Sequence, residues 1–339
     1  MNPTNEQQTQ YGLVRDMLAT AEIISQFDPN QMIETAREIA VVGQLMMTGE
    51  GSSRLFPAKS AIAHSNRMGW ELQLQTEAGQ QAQEYHLAKS AVFALSNSGR
   101  TAEVIGLFNQ LKNKGHQNLY SLTAFANSKL ESLANKGYVL SCGEEGAVAA
   151  TKSVVEQALF YWALLEHAAN APTLQSKLSQ LAEAFQTAVT TQIDPALIDK
   201  IANAGIIYWA GRNDGVAEEL TLKTNEITRK SSDFLEGTYA AHGVEEVMNK
   251  EDVVIWVDPY SGSEDKFAEV LEEGIGLTII AISSRATRFP TIQIPDAGDL
   301  NPFVQMAAGW NLMVDVGLKL GINIDKPERA RKVGNEFAG

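Results

Sequence analysis

The sequence predicts an α/β protein of two doubly wound parallel sheets, each layered between helices in a three-layer αβα arrangement. Three observations predict it. The chain has 339 residues, enough for two domains at the usual ~100–200 residues each. Short apolar runs alternate with helix-length stretches, the pattern of parallel strands joined by crossover helices. That pattern then begins again after a polar, Gln-rich middle stretch.

In chain order, residues 1–34 read as an N-terminal helical segment. The first domain, 35–171, has strand-like runs at 45–48, 91–95, 119–122 and 138–141, each bounded by Gly, Ser or Asn. Helical stretches at 54–68, 101–114 and 148–169 follow or separate them. Residues 172–199 keep helical apolar spacing and read as a helical connection. The second domain, 200–325, has strand-like runs at 206–210, 253–257, 277–282 and 291–294, with helices at 216–230, 265–273 and 302–320. Residues 326–339 form a tail. The halves share an architecture and little residue-level identity.

Composition narrows the function. Hydrophobic residues make up 44% and charged residues 20%, a globular balance. The net charge of −14 argues against a duplex-binding surface, which needs clustered Lys and Arg, and against an anionic membrane surface. The single cysteine, Cys142, cannot form an internal disulfide and points to a reducing compartment. Residues 1–11 are polar, without a signal-peptide core, and no apolar run approaches the ~18–20 residues of a membrane span. The expectation is a soluble cytoplasmic protein with no nucleic-acid or membrane partner.

Ligands of such sheets bind beyond the carboxyl ends of strands. Three loops there are rich in small donors: Gly49-Glu50-Gly51-Ser52-Ser53, Ser96-Asn97-Ser98-Gly99-Arg100-Thr101, and the stretch from Gly143 to Lys152. Hydroxyls beside helix N-terminal amides suit a phosphate dianion, although the same residues also serve as simple helix caps. The second loop lacks the Lys of a P-loop and the spacing of a dinucleotide fingerprint.

Acid–base candidates lie further on. Glu219, Lys223, Glu226 and Lys230 fall on one face of the helix at 216–230. Neighbouring charges there can tune proton transfer, while a solvated stripe of ion pairs worth ~0.2–0.5 kcal/mol each gives the same spacing. His242, one of five histidines, can act near neutral pH or simply satisfy a core. No His/Cys cluster has metal spacing and no Gly-x-Ser-x-Gly elbow is present, so no metal and no cofactor are expected.

Taken in order, these motifs resemble the tandem sugar isomerase (SIS) domain family, which includes the isomerase part of glucosamine-6-phosphate synthase and stand-alone phosphosugar isomerases, deaminases and fructosamine-6-phosphate deglycases. Ser96-Asn97-Ser98-Gly99-Arg100-Thr101 is similar to the family's Ser-Gln-Ser-Gly-x-Thr. Gly51-Ser52-Ser53 stands where the family has Gly-Thr-Ser, and Val148-Ala149-Ala150-Thr151-Lys152 resembles Val-Ala-Ser-Thr-Lys. Leu222-Lys223-Thr224-Asn225-Glu226-Ile227 resembles Leu-Lys-x-x-Glu-Ile, and His242-Gly243 follows at the family's interval. Asp325-Lys326-Pro327 and Lys332 resemble its C-terminal tail.

The resemblance implies two SIS domains and a sugar-phosphate substrate. Ser53, Ser96, Ser98 and Thr101 would bind phosphate, and Asn97 and Val148 would touch the sugar. Glu226 would be the base moving a proton between C1 and C2, supported by Glu219 and Lys223. His242 would open the ring, often in a neighbouring subunit of a homodimer or dimer of dimers, and Lys332 would reach the open-chain carbonyl. The sequence departs from the family at Ala150, in place of Ser, and around His242, where the usual nearby Glu and the following Pro are missing. No glutaminase domain precedes the first sheet, so no glutaminase activity is expected.

Overall fold

In the computed structural model, which describes residues 1–337, the chain folds as two compact units. One comprises Glu22–Glu145, Ala150–Ser179 and the C-terminal residues from Ala330. The other comprises Met1–Ala21, Gly146–Ala149 and Gln180–Arg329.

The first unit holds five parallel strands: β1 (Gln44–Gly49), β2 (Gln73–Ala78), β3 (Ala91–Ser96), β4 (Leu119–Thr123) and β5 (Lys136–Val139). They lie in the order β2-β1-β3-β4-β5. β3 and β4 are buried at every position, as strands covered on both faces must be. Three helices carry or back the donor-rich loops: α1 (Leu55–Met68), α2 (Ala102–Asn113) and α3 (Lys152–Ala168). α3 is buried without interruption from Ser153 to Glu166, so it is a core helix and not an amphipathic cover. Its polar groups are satisfied inside: Tyr161 Oη donates to Phe93 O at 2.9 Å, and Trp162 Nε1 donates to Ser60 Oγ at 3.1 Å.

The second unit repeats the winding. Its strands are β6 (Ile207–Gly211), β7 (Ser232–Glu236), β8 (Val253–Val257), β9 (Thr278–Ser283) and β10 (Thr291–Gln293), all parallel, in the order β10-β9-β8-β6-β7. Counted within each sheet, both run 2-1-3-4-5. The expected fold class, two parallel sheets with flanking helices, is what the chain adopts. Helix α4 (Val216–Thr228) packs on α5 (Asn301–Lys319), and the approach is close. A Cβ on Gly309 would stand 2.4 Å from a methyl of the wholly buried Leu220.

Local boundaries differ from expectation in informative ways. β2 and β7 are absent from the strands expected of the sequence. Both are edge strands with largely exposed or half-exposed residues, so neither carries an apolar run. The helix expected at 148–169 begins only at Lys152. The helix expected at 265–273 is a short α-helix, Glu264–Phe267, continued as π-helical turns over Ala268–Glu273. Among the described residues no helix is long and apolar enough to cross a membrane.

Candidate active site

The two donor-rich loops of the first unit leave neighbouring strands. β1 ends at Gly49 and leads through the turn Gly51–Ser53 into α1; β3 ends at Ser96 and leads into α2. Strand order reverses between β1 and β3, which is where open α/β sheets hold ligands. Gly49 permits the loops to close up, since a Cβ there would stand 2.8 Å from Ser53 O and 2.9 Å from Leu95 O.

Within the second loop the hydroxyls are organised. Ser96 is buried, with its Oγ 2.9 Å from Thr101 Oγ1, and it accepts from the Gly99 N–H at 3.1 Å. Ser98 Oγ accepts from the Arg100 N–H at 3.1 Å. Gly99 has φ +64°, and a Cβ there would meet Ser128 Cβ at 2.4 Å, so only glycine fits. Thr101 stands at the N-cap of α2 without a side-chain cap bond, so simple helix capping does not account for its hydroxyl. Asn97 Nδ2 is buried with no hydrogen-bond partner. A buried donor left in that state costs about 1–3 kcal/mol.

In the second unit, α4 carries the charged stripe, and the stripe is not a solvated face. Lys223 and Glu219 are wholly buried, while the Glu226 side chain is 24% exposed. Lys223 Nζ lies 2.5 Å from Glu226 Oε2 and 3.3 Å from Glu219 Oε1. Burial pulls the Lys223 pKa down, but Glu226 and Glu219 more than offset it and hold it above its ordinary value. The ammonium therefore stays charged and pins one oxygen of a carboxylate whose remainder faces solvent. The interior side of α4 is fixed by Trp209 Nε1, which donates to Thr224 Oγ1 at 2.7 Å. Lys230 lies outside this group; its Nζ donates to Ala202 O at 3.0 Å.

The other residues chosen from the sequence have different surroundings. His242 is exposed between two 3-10 turns, Tyr239–Ala241 and Val244–Val247, so it is not a core histidine, and it makes no hydrogen bond to the stripe. Val148 is half-buried in a loop ahead of α3, with its N–H on Asp325 O at 3.3 Å. Lys332 is exposed in the tail of the first unit.

Comparison with known proteins bears on these loops directly. The SIS domain model matches residues 58–167, a span that contains the hydroxyl loop and α2. This segment is similar to a SIS domain. A glutamine–fructose-6-phosphate aminotransferase (isomerizing) of Lactiplantibacillus plantarum is 25% identical over 258 residues, covering 70% of this chain and 42% of that protein. The chain thus spans under half the length of that curated relative. In fold, the C-terminal domain of glucosamine-fructose-6-phosphate aminotransferase from Francisella tularensis is similar with a TM-score of 0.78 at 17% identity, over 96% of this chain and 100% of that one. Glucosamine-6-phosphate deaminase from Thermotoga maritima gives 0.74 at 17% identity, over 95% and 99%.

Unlike the hydroxyl loop, the third donor-rich loop is already filled. The buried Glu145 carboxylate accepts from the N–H groups of Thr151 and Ser153, each at 3.0 Å, and so caps α3 with the chain's own anion. In the second unit, carboxylates also stand in the loops after β6 and β8. Arg212 pairs with Asp258 at 2.6 Å, and Asp214 accepts from Val216 N–H at the start of α4. Sequence reasoning gave these carboxylates no role, and placed Asp325 only in the tail motif; its carboxylate accepts from the N–H groups of Gly12 and Leu13 at 2.8 and 2.9 Å while its carbonyl holds Val148. An acidic residue just ahead of a helix start was the available signal for Asp214. Among the described residues no group of three or more His, Cys, Asp or Glu is arranged to hold a metal ion.

Proposed function

We propose that the chain is a phosphosugar isomerase-type enzyme acting on an aminated hexose 6-phosphate, with C1/C2 proton transfer leading to C–N cleavage. The observation that carries this reading is the Glu226 carboxylate, fixed at 2.5 Å by a buried ammonium and still open to solvent. A base moving a proton between adjacent carbons must be held still and accessible. The hydroxyl loop with Ser96, Ser98 and Thr101, joined by Ser53, supplies neutral donors for a 6-phosphate. The unpartnered Asn97 amide supplies a donor for a sugar oxygen. Two of the similar proteins are named for nitrogen-bearing hexose phosphates, which supports that substrate class.

The chemistry balances with water alone. Glu226 takes the proton from the carbon bearing nitrogen and returns it to the neighbouring carbonyl carbon. An imine results, water adds to it, and ammonia or an amine leaves. With nitrogen at C2 this is deamination; with nitrogen at C1 it is deglycation. His242 assists ring opening, and Lys332 approaches the carbonyl. The exposure of His242, with Tyr239 and Val247 also exposed on its loop, supports service to a second copy in a homodimer.

Glu226→Gln tests the reading. Sugar-phosphate binding, read by thermal shift, should persist, while turnover and deuterium exchange at C1 or C2 fall by about 10²–10⁴. Unchanged turnover overturns the assignment. Wild-type binding without exchange marks a non-catalytic sugar-phosphate-binding regulator, and turnover of sugars lacking nitrogen marks a plain aldose–ketose isomerase.

A further inference from the structure

The variable position of the hydroxyl loop, Arg100, is the residue a phosphate site would be expected to use, yet its guanidinium is committed elsewhere. Arg100 NH1 lies 2.8 Å from Glu336 Oε1 in the tail. The backbone makes the same connection on both sides of that pair. Ala102 N–H donates to Asn335 O at 3.0 Å and Phe337 N–H donates to Arg100 O at 2.9 Å, with Thr101 and Glu336 paired as an antiparallel bridge. Asn335 Nδ2 adds a bond to Glu103 Oε1 at 2.9 Å. Phe337 packs against the apolar cluster that includes Val104 and Phe108 of α2, with Lys129 Nζ 5.9 Å from its ring centre. The tail thus adds a short strand to the exit of the hydroxyl loop, anchored by an aromatic ring and aligned by an ion pair.

We infer that Arg100 is a positioning residue: it fastens the tail to the hydroxyl loop through Glu336, with Phe337 as the anchor, and does not ligate the phosphate itself. The inference rests on the proposed function for its consequence. Lys332 stands four residues before Glu336, so while the latch holds Glu336 beside Arg100 the Lys332 Cα stays within about 14 Å of that fixed point. Opening the latch removes that tether without removing any hydroxyl from the loop. Arg100 and Glu336 are each about half exposed, so the ion pair aligns the strand and the packed ring contributes more to holding it.

Hydrogen exchange on the full chain, with and without glucosamine 6-phosphate, reads the latch at the amides of Ala102 and Phe337. Arg100→Glu should speed exchange there roughly two- to fivefold, and Phe337→Ala about tenfold. The double exchange Arg100→Glu with Glu336→Arg should restore protection. In turnover, Arg100→Glu should lower kcat with little change in KM, and the double variant should recover it. A raised KM with tail exchange unchanged would make Arg100 a phosphate ligand and overturn the inference. Should the wild-type protein turn over no sugar phosphate, the functional reading falls while the exchange measurement still decides the latch.

Discussion

Lys223 Nζ sits 2.5 Å from Glu226 Oε2, and of the two side chains only the glutamate reaches solvent. A cation with no exposure holds a carboxylate with partial exposure, and Glu219 on the preceding turn shares that cation from within the core. The pairing is more than decoration on a helix. Removing one member of a buried ion pair leaves the other uncompensated, at a typical cost of about 3–5 kcal/mol. Lys223→Met should therefore lower stability, read by urea denaturation, by an amount of that order and abolish turnover as well.

The same group sets a pH dependence with a defined sign. The Lys223 pKa is raised above its ordinary 10.5, since the two carboxylates outweigh burial. Stability from such a group is fully present below the unfolded value and is lost as pH climbs through the folded one. The wild-type advantage over Lys223→Met should stay flat across neutral pH and shrink only above about 10.5. Urea denaturation at a series of pH values checks this, and a difference that shrinks near neutrality would count against it.

Ser96→Ala removes the hydroxyl that meets Thr101 Oγ1 and accepts from Gly99 N–H. Loss of one hydroxyl donor to a charged group costs about 1.5 kcal/mol, so KM for a hexose 6-phosphate should rise about tenfold. Competition by inorganic phosphate should weaken in parallel, and kcat should change far less.

Gly99→Ala forces a side chain onto φ +64° and against Ser128 at 2.4 Å. The expected loss is about 1–3 kcal/mol of stability, together with weakened phosphate binding as the loop shifts. Thermal unfolding with and without phosphate separates the two effects.

Much of this molecule is legible in its sequence because the central strands announce themselves. Runs such as Ala91–Ser96 and Val253–Val257 are apolar at both faces and are bounded by turn residues. Edge strands are not legible on the same terms. Gln73, Gln75 and Asp233 face solvent, and β2 and β7 hold their places through backbone pairing with β1 and β6. The charged stripe of α4 shows the other limit. Its spacing is written in the sequence, but whether it meets water or core depends on what packs around the helix. Likewise the late start of α3 follows from Glu145, whose carboxylate gathers the amides of Thr151 and Ser153. That is a tertiary choice between the two acidic residues of the loop, Glu144 and Glu145.

Two sheets wound alike differ in their loops: Arg212 pairs with Asp258 across the loops after β6 and β8, while those after β1 and β3 present Ser53, Ser96, Ser98 and Thr101. Duplicate architecture therefore does not mean duplicate uptake. Calorimetric titration with inorganic phosphate should saturate at a stoichiometry of unity, and Arg212→Ala should leave that number untouched.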